Sequence, residues 1–328
     1  MSNANRLVLD RFRVVGTLAK GGMGEVLLAD DARTGRRVVL KLLRRDVDDG
    51  DAEIRFEHEI TVARRLHHPL IPYFIDDGKW GARRVLAIEY VDGVSLSAIM
   101  RQRGTALPAM SALFIAVDVL RALNAAHCAL TDDGVAADIK HGDVSPQNIV
   151  IGRDGRARLI DFGISTERAF PSRCGPGQVA GKIAYLAPEQ LLCRDVDARA
   201  DQYSAGVVLV EMLIGRALFS GDAIDSDSPT AGRGVPAFLV LLPALPPALR
   251  GVLARLLSLD RACRYSTCRD AFNALLAAAV DLPEPTETPC DLATAALTAG
   301  GVVDDEDEVT VADRRIAALA PRRERAHS

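Results

Sequence analysis

The sequence predicts an α+β fold in two lobes, a small β-rich lobe with one helix followed by a larger, mainly helical lobe. Three observations lead there. Residues 12–91 hold short runs rich in valine and leucine, with one segment of helical period between them. Residues 92–282 hold longer apolar stretches at helical spacing. The 328 residues exceed one average domain and suit two lobes plus an extension.

Each element has its own signal. Residues 1–11 read as an arm. In the small lobe, 37–43 is short and rich in valine and leucine and 85–90 is similar, so both read as strands. Between them, 53–66 places Ile54, Ile60, Ala63 and Leu66 at helical spacing. In the larger lobe, 111–128 carries apolar residues on most turns, and 201–214 is apolar almost all round, the pattern of a buried helix. Short strands at 148–152 and 157–160 flank the turn Arg153-Asp154-Gly155-Arg156. Two more helices follow, 249–259 and 267–280. From 283 to 328 the composition shifts to Pro, Thr, Ala and Gly, then to the acidic run 304–308 and a basic end. This is the pattern of a disordered acidic/basic tail.

Composition excludes several classes. A hydrophobic content of 48% supports a sizeable core, and a net charge of −4 gives no bulk attraction to nucleic acid or anionic lipid. The first ten residues lack an apolar signal-peptide core, and the apolar run 234–249 is broken by four prolines. A cytoplasmic protein with no membrane or nucleic-acid partner is the expectation. The six cysteines form no C-x-x-C pair, so reduced thiols are expected rather than a zinc site or a disulfide framework. Cys174 falls in an expected loop. His67-His68 precedes Pro69 and ends a helix; adjacent histidines on a helix point in different directions, which suits no metal.

The chemistry-bearing residues come as an ordered set. Gly21, Gly22 and Gly24 lie in a turn between two strands, followed by Val26. Lys41 stands 17 residues after Gly24, and Glu59 sits on the expected helix. Then come Glu89-Tyr90-Val91, His141-Gly142-Asp143 with Ser145 and Asn148, Val150, Asp161-Phe162-Gly163, Ala187-Pro188-Glu189, Asp201 and Arg264. Any one motif is weak, whereas the full series in this order is hard to obtain by chance.

In these motifs, residues 12–280 resemble a bacterial Hanks-type (eukaryotic-like) serine/threonine protein kinase. The closest matches are Gly21-Gly22-Met23-Gly24-Glu25-Val26, Asp143-Val144-Ser145-Pro146-Gln147-Asn148 and Tyr185-Leu186-Ala187-Pro188-Glu189-Gln190. The resemblance implies a bilobal protein-kinase fold with ATP in the cleft. The glycines would cradle its phosphates, and Lys41, held by Glu59, would reach the α- and β-phosphates. Val26 and Val150 would pack on the two faces of adenine, Glu89 and Val91 would bond it from the hinge, and Ile88 would guard the back of the pocket. Asp143 would orient a substrate hydroxyl and accept its proton, and Asn148 and Asp161 would hold Mg²⁺. Glu189 and Arg264 match a buried pair that ties the substrate-binding segment to the late helices. Asp201 is expected to cap its helix and anchor the catalytic loop.

Five positions depart from the family pattern. Ala19 replaces a loop glycine, and Val39 the small residue before Lys41. Gly142 replaces an arginine that receives a phosphorylated activation loop, so control by such phosphorylation loses its main receptor charge. Ser145 stands where the family has lysine, and Lys182 where it has threonine. In the family these two side chains meet beside the catalytic Asp, which suggests a reciprocal exchange with Lys182 supplying the positive charge and Ser145 the hydroxyl.

The leading expectation is an active Ser/Thr protein kinase acting on protein substrates in signalling. The alternative is a pseudokinase, a nucleotide-binding scaffold or allosteric partner. A small-molecule phosphotransferase shares the Asp and Asn pair, but Ala187-Pro188-Glu189 and Arg264 favour a protein substrate. Thr310-Val311-Ala312-Asp313 has a shape that some phosphothreonine-reading partners favour.

Overall fold

The computed structural model describes residues 7–20, 24–43, 50–162, 184–219 and 245–299. Gly21, Gly22, Lys182, Cys174 and the tail containing Thr310 lie outside the described residues.

The small lobe is an antiparallel sheet of β1 (Phe12–Lys20), β2 (Gly24–Asp31), β3 (Arg37–Leu43), β4 (Phe74–Trp80) and β5 (Arg83–Glu89) in the order β1-β2-β3-β5-β4. Alternation places Leu27, Ala29, Val38, Leu40, Leu42, Val85 and Ala87 in one apolar layer with Val8 and Phe12. The end of the expected arm thus belongs to the lobe. Arg11 locks it there, with Nη2 at 2.8 Å from Asp31 and Nη1 at 3.0 Å from Asp76.

Helix α1 (Gly50–Arg65) lies against the sheet and buries Phe56 and Ile60 beside Leu86. The expected apolar face is corrected at one position: Ile54 is 69% exposed. Phe56, Ile60 and Ala63 run at i, i+4 and i+7, and two residues away from Phe56 puts Ile54 on the opposite side.

A second sheet, β6 (Gly93–Ser95), β7 (Ile149–Gly152) and β8 (Ala157–Leu159), joins the lobes. The larger lobe is built round α3 (Ala109–His127) and α5 (Arg199–Ile214), with α2 (Leu96–Arg103), α4 (Pro188–Leu191), α6 (Pro247–Leu256) and α7 (Cys268–Ala278) packed about them. Helix α3 is long and apolar enough to cross a membrane by length and composition, but 67% of that stretch is buried inside the fold. Its Asp118 accepts hydrogen bonds from Arg156 Nε (2.8 Å), Arg156 Nη2 (2.9 Å) and Ala157 N (3.1 Å), which fixes the β7–β8 hairpin on the helix. Every residue of α5 from Ala200 to Met212 is buried, as its all-round apolar pattern predicts.

The tail needs correction over part of its length. Helix α8 (Pro289–Thr298) packs on α2, β6, β7 and α3, burying Leu292 and Ala293. Glu287 pairs with Arg103 at 2.7 Å and its carbonyl accepts from Ser111 Oγ; Cys290 Sγ donates to Arg153 O at 3.1 Å. The Pro and Thr that read as linker are helix-start chemistry. Thr288 and Asp291 form a capping box, and Pro289 sits in the first turn. We expect a chain ending at 283 to melt ~4–8 °C below one ending at 299. This reflects loss of ~2 kcal/mol of apolar burial, and a thermal unfolding scan checks it.

Candidate active site

The site is assembled from both lobes. Lys41 lies in the middle of β3, between Val26 of β2 and Leu86 of β5. Its ammonium is hydrogen-bonded to Glu59 Oε1 from α1 and to Asp161 Oδ1 just after β8. Burial opposes the charge on Lys41, but the carboxylates of Asp161 and Glu59 outweigh it and hold the pKa above its ordinary value. Glu57, on the same helix, is held instead by Arg84.

Asp143 and Asn148 occupy a buried loop between α3 and β7. Asn148 Nδ2 donates to Asp143 O at 2.8 Å and to Asp143 Oδ2 at 3.0 Å. The Asn148 carbonyl accepts from Ile160 N at 2.9 Å, so the β7–β8 hairpin brings Asn148 next to the strand that leads into Asp161. Asp161 has φ +65°, a left-handed conformation that few residues other than glycine adopt readily.

One buried carboxylate supports the loop. Asp201 Oδ2 accepts from His141 N at 2.9 Å and Oδ1 from Gly142 N at 2.8 Å, while His127 Nε2 lies 2.8 Å from Oδ2. Burial works against the charge on Asp201, but the hydrogen bonds from His127 and from the Gly142 N–H keep its pKa below the usual carboxylate range. The anchoring role matches expectation. The capping role does not, because Ala198 is the cap and Asp201 sits inside the first turn. His141 Nδ1 in turn accepts from Asp143 N at 3.2 Å, and its ring packs edge-on against Phe162 with centroids 4.7 Å apart.

The apolar candidates are distinguished by their exposure. Val26, Ile88 and Val150 are half-buried, whereas their strand neighbours Leu27, Ala87 and Ile151 are fully buried. Glu89 ends β5 and Val91 follows in the connection to β6. Gly24 has a reason beyond loop flexibility: a methyl group there would meet Leu42 O at 2.4 Å. Among the departures, Ala19 pairs with Val26 at a bulge in β1, and Val39 lies opposite Ile88. Gly142 has φ +73°, where any side chain carries a backbone cost of ~1–2 kcal/mol. Ser145 is buried, and its hydroxyl has no hydrogen-bond partner among the described residues.

Glu189 and Arg264 meet as a bidentate pair, Nη1 to Oε1 at 2.6 Å and Nη2 to Oε2 at 2.9 Å. Arg264 also donates to Ser258 O and Arg199 O and stacks on Tyr203, so four of the five N–H donors of the buried guanidinium have named partners. His127 carries no motif in the sequence, and only the packing of α3 against α5 brings it to Asp201.

An antiparallel-sheet lobe and a helical lobe that share a lysine, two carboxylates and a buried Asp–Asn loop define a phosphotransfer class of fold. The chain belongs to the protein kinase domain family, which it matches over residues 12–273. It is 29% identical over 269 residues to the probable serine/threonine-protein kinase PknB of Lactococcus lactis, covering 81% of this chain and 42% of that protein. It is 31% identical over 268 residues to the serine/threonine-protein kinase PknE of Mycobacterium tuberculosis, covering 81% and 46%. The crystal structure of the M. tuberculosis PknI kinase domain superposes with a TM-score of 0.63 at 29% identity, covering 85% of this chain and 99% of that one. The chain thus spans less than half the length of these two curated relatives.

Removing one member of the buried pair, as in Arg264→Ala or Glu189→Ala, is expected to cost ~3–5 kcal/mol in urea unfolding. The double variant Glu189→Gln/Arg264→Met should lose less than either. Glu211 gives a pH signature. Burial raises its pKa despite hydrogen bonds from Leu218 N and Tyr185 Oη. A carboxyl with a raised folded pKa binds more protons folded than unfolded. Its contribution is fully present below the ordinary carboxylate pKa and is lost as pH rises through the folded value. Glu211→Gln should therefore gain stability relative to wild type across that rise, as read by melting temperature against pH.

Proposed function

We propose that the chain is a serine/threonine protein kinase domain, transferring the ATP γ-phosphoryl group to serine or threonine hydroxyls of protein substrates. The observation that carries this reading is the convergence of Lys41, Glu59 and Asp161 from two lobes. Beside them stands a buried Asp143 oriented by Asn148. Glu59 and Asp161 hold the Lys41 ammonium in place without neutralising its ability to pair with phosphate oxygens. The half-buried Val26 and Val150 would grip adenine, the glycines would admit its phosphates, and the backbone of Glu89 and Val91 would bond its edge.

The residues present also suit magnesium. Asp161 offers carboxylate oxygen, and Asn148, whose amide nitrogen is committed to Asp143, offers its amide oxygen; both are hard donors. Asn148 and Asp161 would hold the ion, which when bound neutralises phosphate charge. Asp143 would accept the proton of the substrate hydroxyl as its oxygen bonds to the γ-phosphorus and the bond from that phosphorus to the bridging oxygen breaks, releasing ADP. Ser145 is the described half of the exchange with Lys182, and its short side chain leaves the cationic role to that lysine. The Glu189–Arg264 anchor of the Ala187-Pro188-Glu189 segment supports a protein substrate over a small molecule. Gly142 supports activity that depends little on activation-loop phosphorylation.

Transfer of radiolabelled phosphate from Mg-ATP to the protein itself and to a basic protein substrate tests the reading. Asp143→Asn and Lys41→Met should each fall at least ~100-fold below wild type. Wild type that binds ATP yet transfers nothing under any of these conditions would instead make the chain a scaffold.

A further inference from the structure

We propose that Cys268 is a positioning residue for Asp143, its thiol fixing the His127 imidazole that in turn orients the Asp201 carboxylate beneath the catalytic loop. The inference rests on the kinase reading only for what Asp143 does; the relay itself stands on geometry. Cys268 opens α7, Thr267 caps that helix through Asp270 N, and Arg269 N donates to Asn124 Oδ1 at 3.1 Å. That last bond fixes the start of α7 against the last turn of α3, one turn before His127. Cys268 is 1% exposed, and its Sγ lies 3.6 Å from His127 Nδ1.

The relay takes His127 as a neutral ring, and the hydrogen-bond directions follow from that. The Asp201 carboxylate can only accept, so His127 must donate through Nε2 at 2.8 Å. On a neutral ring this leaves Nδ1 as a lone pair, which needs a donor. The Cys268 thiol is that donor. Burial and the neighbouring Asp201 and Cys128 push its pKa well up, so the thiol keeps its proton. Beyond Asp201 the relay continues to the backbone N–H groups of His141 and Gly142, and from His141 Nδ1 to Asp143 N at 3.2 Å. A late helix is thereby connected to the residue that receives the substrate proton, through groups that never touch substrate.

A cysteine that merely filled space could be replaced by alanine or serine with the same outcome, whereas a donor could be replaced only by serine. In the full chain, Cys268→Ala should speed hydrogen exchange of the His141 and Gly142 amides ~3–10-fold. It should lower kcat by a similar factor, with KM for Mg-ATP within ~2-fold of wild type. Cys268→Ser should recover most of both effects. Equal behaviour of the two variants, or unchanged exchange and kcat in Cys268→Ala, would overturn the proposal. If the alanine variant does not fold, the wild-type protein still decides. Imidazole ¹⁵N shifts should show His127 protonated at Nε2 and unprotonated at Nδ1, and a proton at Nδ1 would refute the relay. Should wild type transfer no phosphate, the exchange and ¹⁵N readings still test the relay, and it is the kinase reading that fails.

Discussion

The molecule is organised round a single cation. Lys41 is anchored in a sheet strand of one lobe, yet its two carboxylate partners come from different bodies: Glu59 from the helix lying on that sheet, Asp161 from the far side of the cleft. A lysine so placed reports on the relative position of three elements at once. If α1 drifts or the strand end after β8 turns, one carboxylate leaves and the ammonium is short of charge compensation in a partly desolvated place. The β3 register, the packing of Phe56 and Ile60, and the attachment of the β7–β8 hairpin to Asp118 all serve this one meeting point.

The larger lobe follows a different rule, in which buried charges hold backbone. Asp201 collects two loop N–H groups and an imidazole, Asp118 collects a guanidinium and an N–H, and Arg264 ties a carboxylate to two carbonyls. Each would be costly if unpaired, and each has several hydrogen-bond partners. Irregular segments beside the cleft gain the fixed geometry that helices and strands obtain from their own ladders. The glycine at position 142 fits this pattern, since its left-handed turn directs its N–H into Asp201 without a side chain to accommodate.

Much of this was legible in the sequence, for physical reasons that differ by element. The valine-rich β3 and the all-round apolar α5 announce themselves by period and composition. Glu59 is picked out by the resemblance of its helix to that of bacterial kinases, and Lys41 does reach it. What was not legible is what tertiary contact alone creates. His127 and Cys268 stand 141 residues apart and neither belongs to a motif. Ile54 shares the apolar character of its neighbours but not their face. The Pro and Thr before α8 have the composition of a linker, and only the capping geometry of Thr288 with Asp291 reveals that they start a helix. Composition averages over a window, whereas a cap is a statement about two residues.

That last helix also sets where the chain departs from its catalytic body. Helix α8 rests on β6 and β7, the two strands that leave the hinge and follow Asn148. Whatever is joined after residue 299 is tethered through this helix to those two strands. Tension or crowding on that tether would be felt first in the strands framing Asn148 and Asp161. A load there would bear on Asn148 and Asp161 through the backbone of the strands beside them.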